Sequence, residues 1–206
     1  MSSSPAEPFV TILVLGAGGS TRLGAPKQLL PYGESTLLGH VVGVARECRT
    51  DQIVVAIGGA ADDVRTGVDL GGTEVVVNRA YGQGCSSSIA AALVAFDPRC
   101  QVLVLMLGDQ PGVTPSTVTA LLRGRQGAPL AVCRYDDGRG HPIAFSRQVF
   151  PALADLHGDK GVWRLLDQRA ADLVEVPVAG PVPLDVDTLE DYQAVLAQAG
   201  FAPAAA

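Results

Sequence analysis

The chain has 206 residues, of which 48% are hydrophobic and 17% charged, with a formal net charge of −6. This describes one folded domain with room for a sizeable core, not a disordered chain. The acidic balance argues against general nucleic-acid binding, which favours a basic face, and no run of about 20 apolar residues is available to span a membrane. The opening MSSSPAEP lacks the basic and apolar regions of a secretory signal, so the expected location is the cytoplasm. Residues 1–8 and 201–206, rich in Ser, Ala and Pro, read as flexible tails around a single domain over residues 9–200.

Residues 9–15 form a charge-free, largely β-branched run, the pattern of a strand buried on both faces of a parallel sheet. The run ends in a loop where Gly16, Gly18, Gly19 and Gly24 let the backbone turn and approach a ligand closely. Several N–H groups of such a loop can face one anion, and Arg22 and Lys27 add positive charge. The stretch reads as a phosphate-binding site. A P-loop would need Lys and then Ser or Thr directly after the second glycine, but Ala25-Pro26-Lys27 follows Gly24. A dinucleotide fingerprint would need glycine at Thr21 and an acid after the next strand, where Gly58-Gly59 stands.

Downstream, periodicity predicts helices over residues 36–48, 61–68, 86–96, 115–123, 147–156, 162–169 and 189–199. Strands are predicted over 53–57, 74–77, 102–107, 130–133 and 173–176, with 143–145 as an edge strand. This alternation implies right-handed crossovers and a mainly parallel sheet, an α/β fold arranged as a single three-layer α/β/α sandwich. Ligands of such sheets bind at the carboxyl ends of the strands.

Four places meet that condition. The apolar run 102–107 ends in Gly108-Asp109-Gln110-Pro111, and a carboxylate there enters the crevice, where a cation is needed to offset desolvation. Mg²⁺ bound by one or two carboxylates and by substrate phosphates fits. Asp185 and Asp187, two apart, share a face if the chain is extended, while Thr188 and Asp191 resemble a capping box for the last helix. Residues 78–88 make a second glycine-rich turn opening a helix, where Asn78, Gly84 and Ser87 are candidates to hold a base edge or a phosphate. Gly138-Arg139-Gly140-His141-Pro142 suggests a turn shaped around a ligand, with His141 bonding a substrate or fixing the loop. The cysteines Cys48, Cys85, Cys100 and Cys133 form no metal or disulfide pattern, and only Cys85 lies in a site-like loop. Trp163 and Tyr192, at helical positions, are assigned to the core.

Leu15, Gly16, Gly18, Ser20, Arg22, Gly24 and Lys27 match the pattern L-[AG]-x-G-x-S-x-R-x-G-x-x-K, followed by G-D-x-P at residues 108–111 and D-x-[DN]-T-x-E-[DE] at 185–191. In this the chain resembles the molybdenum cofactor nucleotidyltransferase family (MobA/MocA-like), with Ala17 and Ser20 similar to its cytidylyltransferase branch. The resemblance implies a Rossmann-like nucleotidyltransferase fold. It implies transfer of a nucleoside monophosphate, from CTP in preference to GTP, to the phosphate of molybdopterin (the molybdenum cofactor), releasing pyrophosphate and serving a molybdenum hydroxylase. It further implies nucleotide contacts from Leu15, Gly16, Ala17, Gly18, Gly19, Ser20, Arg22, Gly24, Lys27, Asn78, Gly84, Ser87 and Asp109. Lys27, Arg22 and Asp109 would be catalytic, Mg²⁺ would sit on Asp109 with Asp187 or Asp185, and His141 and Lys160 would meet the acceptor. The alternatives are transfer to another phosphorylated metabolite such as a sugar phosphate, a dinucleotide-dependent oxidoreductase on the same fold, and a non-catalytic pterin-binding chaperone.

Overall fold

The computed structural model describes residues 7–20 and 22–202. Its centre is β1 (Val10–Gly16), which pairs in parallel with β4 (Gln52–Ile57) on one side and β6 (Val102–Leu107) on the other. Beyond β4 lies β5 (Glu74–Val77), also parallel. Beyond β6 the sheet changes direction: β8 (Arg139–Ser146) is antiparallel both to β6 and to β7 (Leu130–Arg134), and β9 (Leu173–Pro177) runs parallel to β7. The order is β5-β4-β1-β6-β8-β7-β9, with a separate pair, β2 (Pro31–Tyr32) and β3 (Ser35–Thr36). Among the described residues, no helix is long and apolar enough to cross a membrane.

Alternation along β1 builds two cores. Ile12 and Val14 pack with α1 (Leu37–Glu47), α2 (Ala61–Gly67) and α4 (Pro115–Gly124), while Leu13 packs on the opposite face with α3 (Cys85–Leu93), α5 (Phe150–Ala154) and α6 (Gly161–Gln168). In α1 the buried Leu38, Val41, Val42 and Ala45 recur at helical spacing, and the Thr36 hydroxyl caps the helix by accepting from the Gly39 amide. Each fully buried Leu or Val of this kind stabilises the fold by about 1.5–3 kcal/mol. The last helix, α7 (Leu189–Gln198), covers neither face of the sheet. It packs Tyr192, Val195 and Leu196 on Tyr32 and Leu37, and the Tyr192 hydroxyl donates to the Pro31 carbonyl at 2.5 Å.

Three expectations need correction. Residues 143–145 belong not to an edge strand but to the internal β8, whose six middle residues are all buried. A strand apolar on both faces belongs between neighbours, and the edges are β5 and β9. The helix expected over 147–156 divides into a 3₁₀ turn (Arg147–Val149) and α5, because Pro151 has no amide to donate and fits only the first turn of a helix. Phe201, assigned to the tail, packs edge-on against Tyr32 with ring centroids 5.0 Å apart, and its amide donates to the Leu196 carbonyl. Residues 1–6 and 203–206 of the expected tails lie outside the described residues.

Candidate active site

The glycine loop leaves the carboxyl end of β1 between two glycines of neighbouring strands. A Cβ on Gly58, after β4, would stand 2.6 Å from the Ala17 carbonyl oxygen, and one on Gly108, after β6, would stand 2.9 Å from that of Leu15. Both positions need glycine for the backbones to pass. Gln28, which the motif reading missed, holds the loop from inside: buried, its Nε2 donates to the Gly16 and Gly18 carbonyls at 2.9 and 2.8 Å. Ser20 sits at φ 50°, and its hydroxyl accepts from the Lys27 amide at 2.8 Å. Thr21 of this loop lies outside the described residues.

The charged centre gathers three segments. Lys27 Nζ donates to Asp109 Oδ2 at 2.5 Å and to Asp187 Oδ1 at 2.8 Å, while Arg22 Nη2 reaches Asp187 Oδ2 at 2.8 Å. Burial pulls the Lys27 pKa down, but the Asp109 and Asp187 carboxylates outweigh it and hold the ammonium above its ordinary value. The hydrogen bond from Lys27 likewise holds Asp187 below the usual carboxylate range. Two hydrogen bonds support this convergence: the Val186 amide donates to the Asp109 carbonyl at 3.1 Å, and the Gln110 side chain donates through Nε2 to the Pro183 carbonyl at 3.2 Å. With Val186 buried, Asp185 and Asp187 face outward on either side of it. The expected capping box is present, with Thr188 accepting from the Asp191 amide and the Asp191 carboxylate accepting in return.

Asp185 carries the excess negative charge. Its carboxyl is pushed up to about 6, first by the desolvation of surrounding protein atoms and then by the nearby Asp109, although much of the residue remains exposed at the mouth. Among the described residues, no three His, Cys, Asp or Glu groups are placed to hold a metal by themselves. The donors nevertheless fit Mg²⁺: two oxygen ligands on Asp109 and Asp187, a third carboxylate nearby, and coordination left for phosphate oxygens.

A cleft of about 580 Å³ opens beside this centre. Leu15, Gly16, Ala17, Gly18, Gly19, Lys27, Gly84, Asp109 and His141 are among the residues that line it. Ser20 and Gly24 line an adjoining groove of about 270 Å³. Arg22 is joined to the centre through Asp187. Asn78 and Ser87 are placed differently from expectation. The buried Asn78 amide donates to the Ser87 and Ser88 hydroxyls, so these side chains build the turn. The N-terminus of α3, expected to offer its amides to a ligand, is taken by Asp159, whose carboxylate accepts from the Cys85 amide at 3.0 Å. Lys160 is exposed at the start of α6 and does not line the cleft; its neighbour Asp159 does.

Trp163, assigned to the core from its helical position, also lines the cleft, as does Tyr81. The four-residue apolar stripe of α6 gave no sign that one member would be left at the wall. Cys85 lines the cleft too, but burial pushes its thiol up to about 11, with Asp159 and Asp109 adding to the shift, so it is no thiolate at neutral pH. Burial also lowers the His141 pKa to about 4, which keeps the imidazole neutral. A bulge sets its position: Val132 pairs with Ile143 but Cys133 with Gly140, leaving His141 and Pro142 as extra residues in β8.

Comparison with known proteins identifies the family. The model of the MobA-like NTP transferase domain matches residues 12–173. Nicotine blue oxidoreductase from Paenarthrobacter nicotinovorans is 30% identical over 200 residues, covering 92% of this chain and 97% of that protein. A crystal structure of the Mycobacterium sp. strain JC1 homologue of Rv0371c is 52% identical, with a TM-score of 0.87 over 92% of this chain and 96% of that one. Rv0371c from Mycobacterium tuberculosis H37Rv is 48% identical, with a TM-score of 0.88 over 94% of this chain and 100% of that one. A complex of Rv0371c with manganese is also similar, at 47% identity and a TM-score of 0.82 over 91% and 98% of the two chains. The chain is a nucleotidyltransferase-type enzyme and belongs to the MobA-like NTP transferase family.

Proposed function

We propose that the protein transfers a cytidylyl group from CTP to the phosphate of molybdopterin, releasing pyrophosphate, in service of a molybdenum hydroxylase. The observation that carries this reading is Lys27, held between Asp109 and Asp187 beneath the glycine loop. An acceptor phosphate is already anionic, so its oxygen can attack the α-phosphorus without a protein base as the bond to the β-phosphate oxygen breaks. The neutral Cys85 thiol is in keeping with direct transfer and no covalent enzyme intermediate. The loop amides and Arg22 bind the triphosphate. Lys27 moves from the carboxylates toward the α-phosphate and stabilises the charge that accumulates there. Asp109 and Asp187 would hold Mg²⁺, which when bound neutralises the phosphates and draws them into line.

A second reading has one observation in its favour: the relative that is 30% identical over nearly its whole length is named an oxidoreductase. On that reading the cleft takes a dinucleotide and the carboxylates need no metal. The test is a thermal-shift screen of the four nucleoside triphosphates and the nicotinamide dinucleotides, each with and without Mg²⁺. Metal-dependent stabilisation by CTP supports transfer. Stabilisation by a dinucleotide alone, independent of metal, supports the oxidoreductase.

A further inference from the structure

A groove of about 340 Å³ lies at the end of the sheet opposite the catalytic cleft, lined by Gln101, Val102, Arg125, Ser146, Arg147 and Gln148 among others. Val102 opens β6 at the groove and Leu107 closes it at the cleft, which sets the two about 17 Å apart at the usual rise of a strand. Although the chain carries a net charge of −6, the groove wall holds two guanidiniums and, among the described residues, no carboxylate.

Arg125, half-buried in the turn after α4, donates through Nη2 to the Ser146 hydroxyl at 3.1 Å and to the Ala128 carbonyl at 3.3 Å. Its Nε is buried with no hydrogen-bond partner among the described residues, and burial lowers the guanidinium's pKa. Arg147, in the 3₁₀ turn after β8, donates through Nη1 to the Pro98 and Cys100 carbonyls at 2.6 and 2.9 Å. Among the described residues neither arginine has an ion-pair partner. Asp97, next to Pro98, is held by Arg99 at 2.8 Å, and Glu7 is exposed and unpaired. The bonds to carbonyls pin both side chains to the backbone, but they use one nitrogen of each. The second Nη of each arginine, Arg147 Nε and the Gln101 and Gln148 side-chain amides are left without protein partners among the described residues. A charge partly withdrawn from water is costly until an opposite charge meets it. A carboxylate has two oxygens and satisfies one guanidinium fork, whereas a phosphate presents oxygens to both.

We propose that this groove binds a phosphate group between Arg125 and Arg147, at a site separate from the catalytic cleft. The site stands whichever reaction the cleft performs. Inorganic phosphate and pyrophosphate share the required chemistry, and the experiment separates the two.

Inorganic phosphate and pyrophosphate are each titrated into the isotope-labelled full chain at constant ionic strength, with acetate as the carboxylate control. Backbone amide shifts in ¹H–¹⁵N spectra report the two regions separately, Ser146, Arg147 and Gln148 for the groove and Gly18 and Gly19 for the glycine loop. The groove amides should shift saturably with at least one of the two phosphates, and the one that saturates at lower concentration identifies the source. Acetate should bind the groove about tenfold more weakly or worse. Arg147 is exposed, and its loss leaves Arg125 bonded to Ser146. Arg147→Gln should therefore weaken the groove about fivefold or more, as loss of a charged hydrogen-bonding partner does, and leave the glycine-loop shifts as they are. Lys27→Ala should leave the groove affinity at its wild-type value. Shifts confined to the glycine loop would overturn the site, as would groove shifts that acetate reproduces at equal concentration. Wild-type groove affinity in a folded Arg147→Gln protein would overturn it as well. Should that variant not fold, Arg147→Lys, which keeps the charge and loses the fork, is read in the same way.

Discussion

Lys27 and Asp187 are separated by 160 residues of sequence, yet Lys27 Nζ lies 2.8 Å from Asp187 Oδ1 while also bonded to Asp109. The lysine of the glycine loop therefore keeps the two acidic segments together in the free protein. It occupies the place between carboxylates where opposite charge is needed. A triphosphate arriving with a divalent cation can exchange these partners, the cation for the carboxylates and the phosphate for the lysine, at little net electrostatic cost.

Lys27→Ala should lower turnover more than it weakens nucleotide binding. Loss of a positioned electrostatic group of this kind commonly costs on the order of a hundredfold in rate. Pyrophosphate release at saturating nucleotide is the measurement, and wild-type turnover would reduce Lys27 to a structural tie between Asp109 and Asp187.

Gln28→Leu keeps side-chain volume but leaves the Gly16 and Gly18 carbonyls without the donor that shapes the loop. Each lost buried partner costs about 1–3 kcal/mol. The variant should melt at a lower temperature and bind nucleotide at least tenfold more weakly. Unchanged affinity would show that the loop holds its form without Gln28.

CTP with Mg²⁺ should raise the melting temperature more than GTP does, as the resemblance through Ala17 and Ser20 implies. At 100 times the dissociation constant a ligand adds about 2.7 kcal/mol, which is easily resolved. Equal or greater stabilisation by GTP would overturn the base preference without touching the fold.

The strand–loop–lysine unit and Asp109 were legible because their chemistry is local: an apolar run, then glycines, then charge. The pairing of Lys27 with Asp187 was not, since nothing in either segment encodes its partner. Trp163 packs against the core as its helical position implies but also lines the cleft, because one apolar stripe serves both core and cleft wall. The place of β8 was misread. The three residues 143–145 look like a short edge because His141 and Pro142 interrupt the apolar pattern before them, although every residue from Gly140 to Phe145 is buried. Asn78 and Ser87 were legible as a cluster, but their bonding to one another depends on the turn geometry.

Asp109→Asn removes one of the two carboxylates on Lys27 and one of the two candidate metal ligands. Metal-dependent pyrophosphate release should collapse. Lys27 and Asp109 are largely shielded, with side chains 12% and 20% exposed, so the metal-free protein should also melt lower. A change of 1 kcal/mol moves the midpoint by about 2–4 °C in a chain of this size. Added Mg²⁺ should stabilise the wild type and not the variant. Undiminished metal-dependent activity in a folded Asp109→Asn protein would sink the assignment.

His141 should make stability fall on the acid side of neutrality. Its pKa is lowered from 6.5 to about 4 by burial, so the folded protein holds it neutral where the unfolded chain would protonate it. Between those two values the unfolded state binds more protons, and stability therefore decreases as pH falls. The contribution is fully present above pH 6.5 and is lost as the pH drops through about 4. Between pH 7 and pH 5 the loss amounts to about 2 kcal/mol, at 1.36 kcal/mol per pKa unit. Carboxylates titrate over part of this range, Asp185 among them, so the wild type alone cannot isolate the effect. Gln at the same position keeps a polar side chain of similar size that cannot take up a proton. Urea unfolding of the wild type and of His141→Gln at both pH values gives the difference. The wild type is expected to lose about 2 kcal/mol more than the variant. Parallel losses in the two proteins would mean that His141 titrates as an exposed imidazole, and the closed wall beside Trp163 would have to be reconsidered.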